Sequence, residues 1–119
     1  KSPRETLEKA EELAKKARAD IVIFGHSHRY FTRSVAKTLF INTGSVGRPG
    51  DGDPRACYGI LDIRPDYFSV RHYRIEYDIP RAAAAVRQHG LPEAFAQMIL
   101  QGFDLEAVLE EPDSPDSNE

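Results

Sequence analysis

Apolar and polar positions alternate along the chain with periods that change several times, and each change marks an element. Leu7, Ala10, Leu13, Ala14 and Ala17 recur at helical spacing, so the N-terminal stretch is expected to form a helix with one apolar face. Ser2-Pro3-Arg4-Glu5 has the form of a capping box that starts it, and Lys15, Lys16 and Arg18 suit the negative end of its dipole. The run Ile21-Val22-Ile23-Phe24 is apolar at every position, which predicts a strand inside a sheet, covered on both sides. Residues 30–36 and 38–41 read as a hairpin turning at Ala36-Lys37. Residues 42–55, NTGSVGRPGDGDPR, form a loop by composition. Two further strands follow, ACYGILDI and YFSVRHYRIEYD, joined by a turn at Arg64-Pro65-Asp66.

After Pro80 the period becomes helical. RAAAAVRQHG is expected to stop at Gly90, LPEAFAQMILQG at Gly102, and FDLEAVLEE to form a third short helix. PDSPDSNE has no apolar residue and is expected to be disordered. The order of elements indicates a mixed α and β fold without internal repeats.

Composition narrows the class without naming a function. The 119 residues suit one small domain or part of a larger one. The single cysteine, Cys57, forms no internal disulfide and fits a reducing, cytoplasmic setting. No apolar run approaches the roughly 20 residues that cross a bilayer, and the first residues have no signal-peptide core, so no membrane partner is expected. The net charge of -3 conceals an asymmetry: seven acids and no bases lie between Asp104 and Glu119, leaving twelve acids against sixteen bases before them. A mildly basic body tolerates an anionic ligand without requiring one.

The chemistry concentrates at two places. In Gly25-His26-Ser27-His28 two imidazoles follow an apolar strand, at the end of a sheet where ligands commonly sit. Gly25 is expected to permit a sharp turn or a close approach. Neutral imidazole binds zinc, manganese, iron or nickel, but two nitrogens are too few for a tight site, and carboxylates are the usual companions. The competing reading is a solvated pair, or one bonded to nearby carbonyls. In the glycine-rich loop, Asn42, Ser45, Arg48 and Arg55 offer an amide, a hydroxyl and guanidinium forks suited to phosphate oxygens, and the glycines free backbone N–H groups for an anion. The alternative there is a plain surface connection in which Asp51 and Asp53 pair with the arginines. The loop lacks the Gly-Lys-Ser/Thr of a P-loop. His72, in mid-strand, and His89, near a helix end, read as ordinary residues.

IVIFGHSHRYF followed by LFINTGSVGRPGDGDPRACYGILDI resembles the C-terminal half of the calcineurin-like metallophosphoesterases, in their small prokaryotic phosphodiesterase-like branch. Gly25-His26-Ser27-His28 stands for that family's Gly-His-Thr/Ser-His, and Asn42-Thr43-Gly44-Ser45 for its Asn-Pro-Gly-Ser, with Thr43 replacing the proline. The resemblance covers residues 18–80 and extends over the helices that follow. It implies part of a four-layer α-β-β-α sandwich, with residues 1–80 as half of the catalytic domain, 81–109 as a helical extension and 110–119 as an acidic tail. It also implies phosphate mono- or diester hydrolysis at two divalent metals (manganese, iron, zinc or nickel). His26 and His28 would each ligate one of them, the attack on phosphorus would come from a bridging hydroxide, and no catalytic residue of the protein itself would be needed. Asn42, Ser45 and Arg48 would face the substrate phosphate.

The family's other ligands lie earlier, in Asp-x-His, Gly-Asp-x-x-Asp and Gly-Asn-His-Asp/Glu motifs and a further histidine. None occurs here, and Gly50-Asp51-Gly52-Asp53 has the wrong place and spacing. Even Lys1-Ser2-Pro3-Arg4 resembles the point just after the family's last upstream histidine. The chain alone is therefore expected to be inactive and to need a tight partner, the missing N-terminal half or a second copy. Tyr58, Phe68, Tyr73, Ile75 and Tyr77 are candidate contacts, although core packing explains most of them. Two other functions stay open: a non-catalytic phosphate- or nucleotide-binding module, and a regulatory or assembly domain. Nucleic acid is disfavoured, because aromatics are not interleaved with the basic residues.

Overall fold

The computed structural model describes residues 3–110. Ser2, with the expected capping box, and the acidic residues 111–119 lie outside the described residues. The order is α1 (Pro3–Ala17), β1 (Ile21–Phe24), β2 (Phe31–Val35), β3 (Thr38–Asn42), β4 (Ala56–Ile63), β5 (Phe68–Ile75), α2 (Ile79–Gln88), α3 (Glu93–Gln101) and α4 (Leu105–Leu109). β1, β3 and β2 form a sheet in that spatial order, β1 parallel and β2 antiparallel to β3. β4 and β5 form a separate antiparallel hairpin.

The α1 stripe covers one face of the three-stranded sheet. Ala14 packs with Val35 and Phe40, and Ala10 and Val22 lie against this cluster. Small residues let the helix approach the sheet closely, but the stripe is wider than the contact, and Leu13 remains 55% exposed.

β1 departs from the expected interior strand. It is an edge of the sheet, flanked only by β3 among the described residues, and Ile23 is 57% exposed. Tyr58, Ile60, Phe68 and Ile75 on the β4–β5 hairpin are exposed too. An all-apolar strand at an edge leaves unpaired backbone groups and apolar side chains open to a further strand.

The β2–β3 hairpin turns as expected at Ala36-Lys37, with φ of 50° and 67°. A two-residue turn with both residues at positive φ matches the strand twist and favours Asn-Gly. Replacing Ala36-Lys37 by Asn-Gly is expected to stabilise the fold by about 1 kcal/mol, read as a higher urea midpoint at unchanged slope.

α2 begins two residues earlier than the sequence suggested. Asp78 caps it, accepting from the Arg81 N–H at 3.2 Å, and Pro80 sits in the first turn, where its missing N–H costs nothing. His89 caps the other end, its Nδ1 donating to the Ala85 carbonyl at 2.8 Å. α2 and α3 are clamped by a two-pronged ion pair, Arg87 Nε and Nη2 to the Glu93 carboxylate at 2.8 and 2.7 Å. Hydrogen bonds from Arg87, then from Gln97, hold the Glu93 carboxyl down from 4.5 to about 2. A carboxyl lowered in the folded state stabilises above its unfolded pKa and loses that contribution as pH falls through the folded one. The α2–α3 pair is therefore expected to loosen between pH 4.5 and about 2, and Glu93→Gln to flatten that step in an acid titration followed by amide exchange.

Candidate functional site

The Gly25-His26-Ser27-His28 segment leaves the sheet where β1 ends. It is held there from β3: the Thr43 N–H donates to the Phe24 carbonyl at 3.2 Å, prolonging the parallel ladder by one bond. A proline at position 43 would lack this donor, so the departure from Asn-Pro-Gly-Ser adds a contact.

The turn is carried by the histidines and not by Gly25. His26 and His28 have φ of 88° and 65°, whereas Gly25 has no positive φ and open space where a Cβ would stand. That corrects the expected role of Gly25. Non-glycine residues in the left-handed region are disfavoured by roughly 1–2 kcal/mol each, and such strain gathers at functional sites. His26 is exposed and His28 half-buried, and no ring nitrogen of either is bonded to another described residue. The bonded alternative finds no partner among the described residues, while rings open to solvent are compatible with a solvated pair; the positive φ at both histidines is the feature that sets this turn apart.

Ser27, between them, ties the turn to the glycine-rich loop. Its Oγ accepts from Asn42 Nδ2 at 2.9 Å and from the Arg29 N–H at 3.4 Å. Asn42 is fully buried; its Oδ1 accepts from the Gly44 N–H at 2.9 Å, and its carbonyl accepts from His72 Nε2 at 3.0 Å. Both ends of the Asn42 amide are thus engaged, Nδ2 joining the histidine turn and Oδ1 shaping the start of the glycine-rich loop. The ring of His72 lies 4.6 Å from that of Tyr30, in the structural role expected of it.

The arginines of the loop separate. Arg55 is bound to Asp53 through Nε at 3.1 Å and Nη2 at 2.8 Å, and its hydrogen bonds hold the Asp53 carboxyl down to about 2. Arg55 follows the local-pairing alternative and is committed. Arg48 is exposed and its guanidinium has no partner among the described residues. Its N–H donates to Ser45 Oγ at 2.9 Å, so Ser45 and Arg48 share one tight turn.

Sequence reasoning missed Arg74. Its side chain, 12% exposed, meets the Asp51 carboxylate and donates to the carbonyls of Asp53 and Arg55 at 3.0 and 3.1 Å. Its guanidinium carbon also stands 5.4 Å from the centre of the Tyr30 ring. One guanidinium thus fastens the far end of the loop to β5. The period-2 alternation of Val70, His72 and Arg74 placed it on the inward face, which was the available signal.

Among the described residues no three His, Cys, Asp or Glu side chains gather as a metal site. As a donor set, His26 and His28 fit two ligand positions and not a complete site. No described helix is long and apolar enough to cross a membrane.

The strand, Gly-His-Ser-His turn and glycine-rich loop define a class. The chain belongs to the calcineurin-like phosphoesterase superfamily, whose domain profile matches residues 1–66. An uncharacterized protein of Methanocaldococcus jannaschii, MJ0912, is 33% identical over 98 residues, spanning 70% of this chain and 40% of that protein. The crystal structure of a metallophosphoesterase from Sphaerobacter thermophilus is similar, with a TM-score of 0.64 at 29% identity over 78% of this chain and 48% of the other. The hypothetical protein PH1004 from Pyrococcus horikoshii OT3 shares the fold at a TM-score of 0.69 and 15% identity, over 81% of this chain and 38% of its own. The chain therefore has the mixed α and β architecture of the metallophosphoesterases and spans less than half the length of these relatives.

Proposed function

We propose that this chain supplies one half of a two-metal phosphoesterase site, with His26 and His28 as ligands to different ions of the pair. The observation that carries the reading is the strained turn: two consecutive-but-one histidines at positive φ, with unengaged rings, at the end of a parallel strand. Divalent ions bound there would supply Lewis-acid polarisation of a phosphoryl group and a water of lowered pKa. The chain's own residues position and bind. Asn42 and Ser27 fix the histidine turn against the glycine-rich loop; Ser45 and Arg48 face the phosphate, Arg48 as the uncommitted cation. This gives Asn42 a positioning role in place of direct contact with substrate, since both ends of its amide are already bonded.

The remaining ligands come from an upstream half of the domain. The exposed edge of β1 and the exposed apolar side chains of β4 and β5 support that placement. Calorimetric titration with manganese tests it. This chain alone is expected to bind with a dissociation constant well above about 1 μM, and the complete protein at least about 100-fold more tightly. Sub-micromolar binding by the isolated chain would contradict the half-site.

A further inference from the structure

The helical extension and the glycine-rich loop enclose a groove of about 240 Å³. Val86 of α2, Leu91 of the connection, and Phe95, Met98 and Ile99 of α3 line it; the one charged lining residue is Arg48. Four further observations bear on what it holds. Arg48 is the loop's uncommitted guanidinium, so the groove combines apolar walls with one unpaired cation among the described residues. The same arginine is bonded through its N–H to Ser45, inside the segment that carries the proposed phosphate contacts. The wall is fixed to that loop: the Gly52 N–H donates to the Gly102 carbonyl at 2.9 Å, and the Gly102 N–H donates to the Met98 carbonyl at 2.9 Å. Leu91 is 48% exposed, so the groove opens to solvent.

We propose that this groove receives the apolar ester group of the substrate, which makes the substrate class an aryl or short-alkyl phosphate ester. The inference rests on the phosphoesterase reading and specifies its substrate. An anion with an apolar substituent complements the groove at both ends: the phosphate meets Ser45 and Arg48, and the substituent displaces water from Val86, Leu91, Phe95 and Ile99, above the buried Met98. The volume lies below the roughly 300–1,000 Å³ of pockets that take larger ligands, which favours one ring or a short chain over a nucleoside. Arg48 at the rim also gives the groove a direction, since only a ligand that carries an anion gains the attraction of its guanidinium.

Two non-hydrolysable probes, 1-naphthylphosphonate and methylphosphonate, test this on the complete metal-loaded protein by calorimetry. The naphthyl compound is expected to bind at least about tenfold more tightly, the return for burying one aromatic ring. In Leu91→Ser the ratio of the two dissociation constants is expected to fall to within about twofold of unity. The Met98 methyl resonance is expected to shift with the naphthyl probe and not with the methyl one. Equal affinities in the parent protein, a preference retained by Leu91→Ser, or an unmoved Met98 resonance would overturn the groove assignment alone. Failure of both phosphonates to bind would overturn the phosphoesterase reading, and this inference with it.

Discussion

Replacing His26 or His28 by alanine in the complete protein is expected to reduce metal-dependent hydrolysis of bis(p-nitrophenyl) phosphate by more than about 100-fold. In the proposed site each substitution would remove one imidazole from a different ion of the pair, and a dinuclear site that lost either ion would lose its clamp on the phosphoryl oxygens. Alanine alone does not separate a ligand from a residue that merely shapes the turn. Glycine does. At φ of 88° and 65° the native side chains are disfavoured, and a glycine is not. His26→Gly and His28→Gly should therefore raise the stability of the metal-free protein by up to about 1 kcal/mol each while removing hydrolysis as completely as alanine does. Gain of stability with loss of activity is the signature of strain retained for function. Near-normal turnover in both histidine variants would refute the metal assignment.

Most parts of this fold fixed by local chemistry were legible in the sequence, the Asp78 cap of α2 and the left-handed histidines beside Gly25 excepted, and those fixed by distant contacts were not. The Ala36-Lys37 hairpin and the left-handed Gly102 at the end of α3 depend on neighbours within a few residues. The family motifs were readable for the same reason, because Gly-His-Ser-His and Asn-Thr-Gly-Ser are contiguous. Three features escaped. Period gave β1 as apolar on both faces but could not reveal that it lies at an edge here. Ser27 passed as the residue between two histidines, although its hydroxyl joins them to Asn42 across fifteen positions. Arg74 reads as a polar strand residue until the fold brings Asp51 and two loop carbonyls to it. In each case the deciding partner is remote in sequence; for Arg74 the local pattern gave the inward face of β5 but not the partner. The metal set was unreadable for a different reason: two imidazoles do not state which carboxylates accompany them.

The contact between the helical extension and the loop carries the other large expected effect. Gly102 has φ of 76°, and a Cβ built on it would stand 2.5 Å from the carbonyl carbon of Asp53 and 2.6 Å from the nitrogen of Pro54. Both obstacles are backbone atoms, so no side-chain rotation relieves them. Across the same junction, a Cβ at Gly52 would lie 3.0 Å from the Phe103 ring, and the two glycines share the 2.9 Å bond from Gly52 N–H to Gly102 carbonyl. Gly102→Ala must therefore both strain the αL cap and push the loop away, a combined cost of about 3 kcal/mol. Gly90 is the control: its φ is 74°, but a Cβ there meets nothing within 4 Å. Gly90→Ala is expected to cost only the conformational part, about 1 kcal/mol. The thermal midpoint of Gly102→Ala should fall by roughly 10 °C, about three times the fall in Gly90→Ala, and amide exchange at Gly52 should accelerate only in the former. Equal shifts in the two variants would mean that the extension does not press on the loop. If the shifts differ as expected, the helices beyond Pro80 are mechanically coupled to the loop that carries Ser45 and Arg48, because the displaced atoms belong to the backbone of Asp53 and Pro54 in that loop.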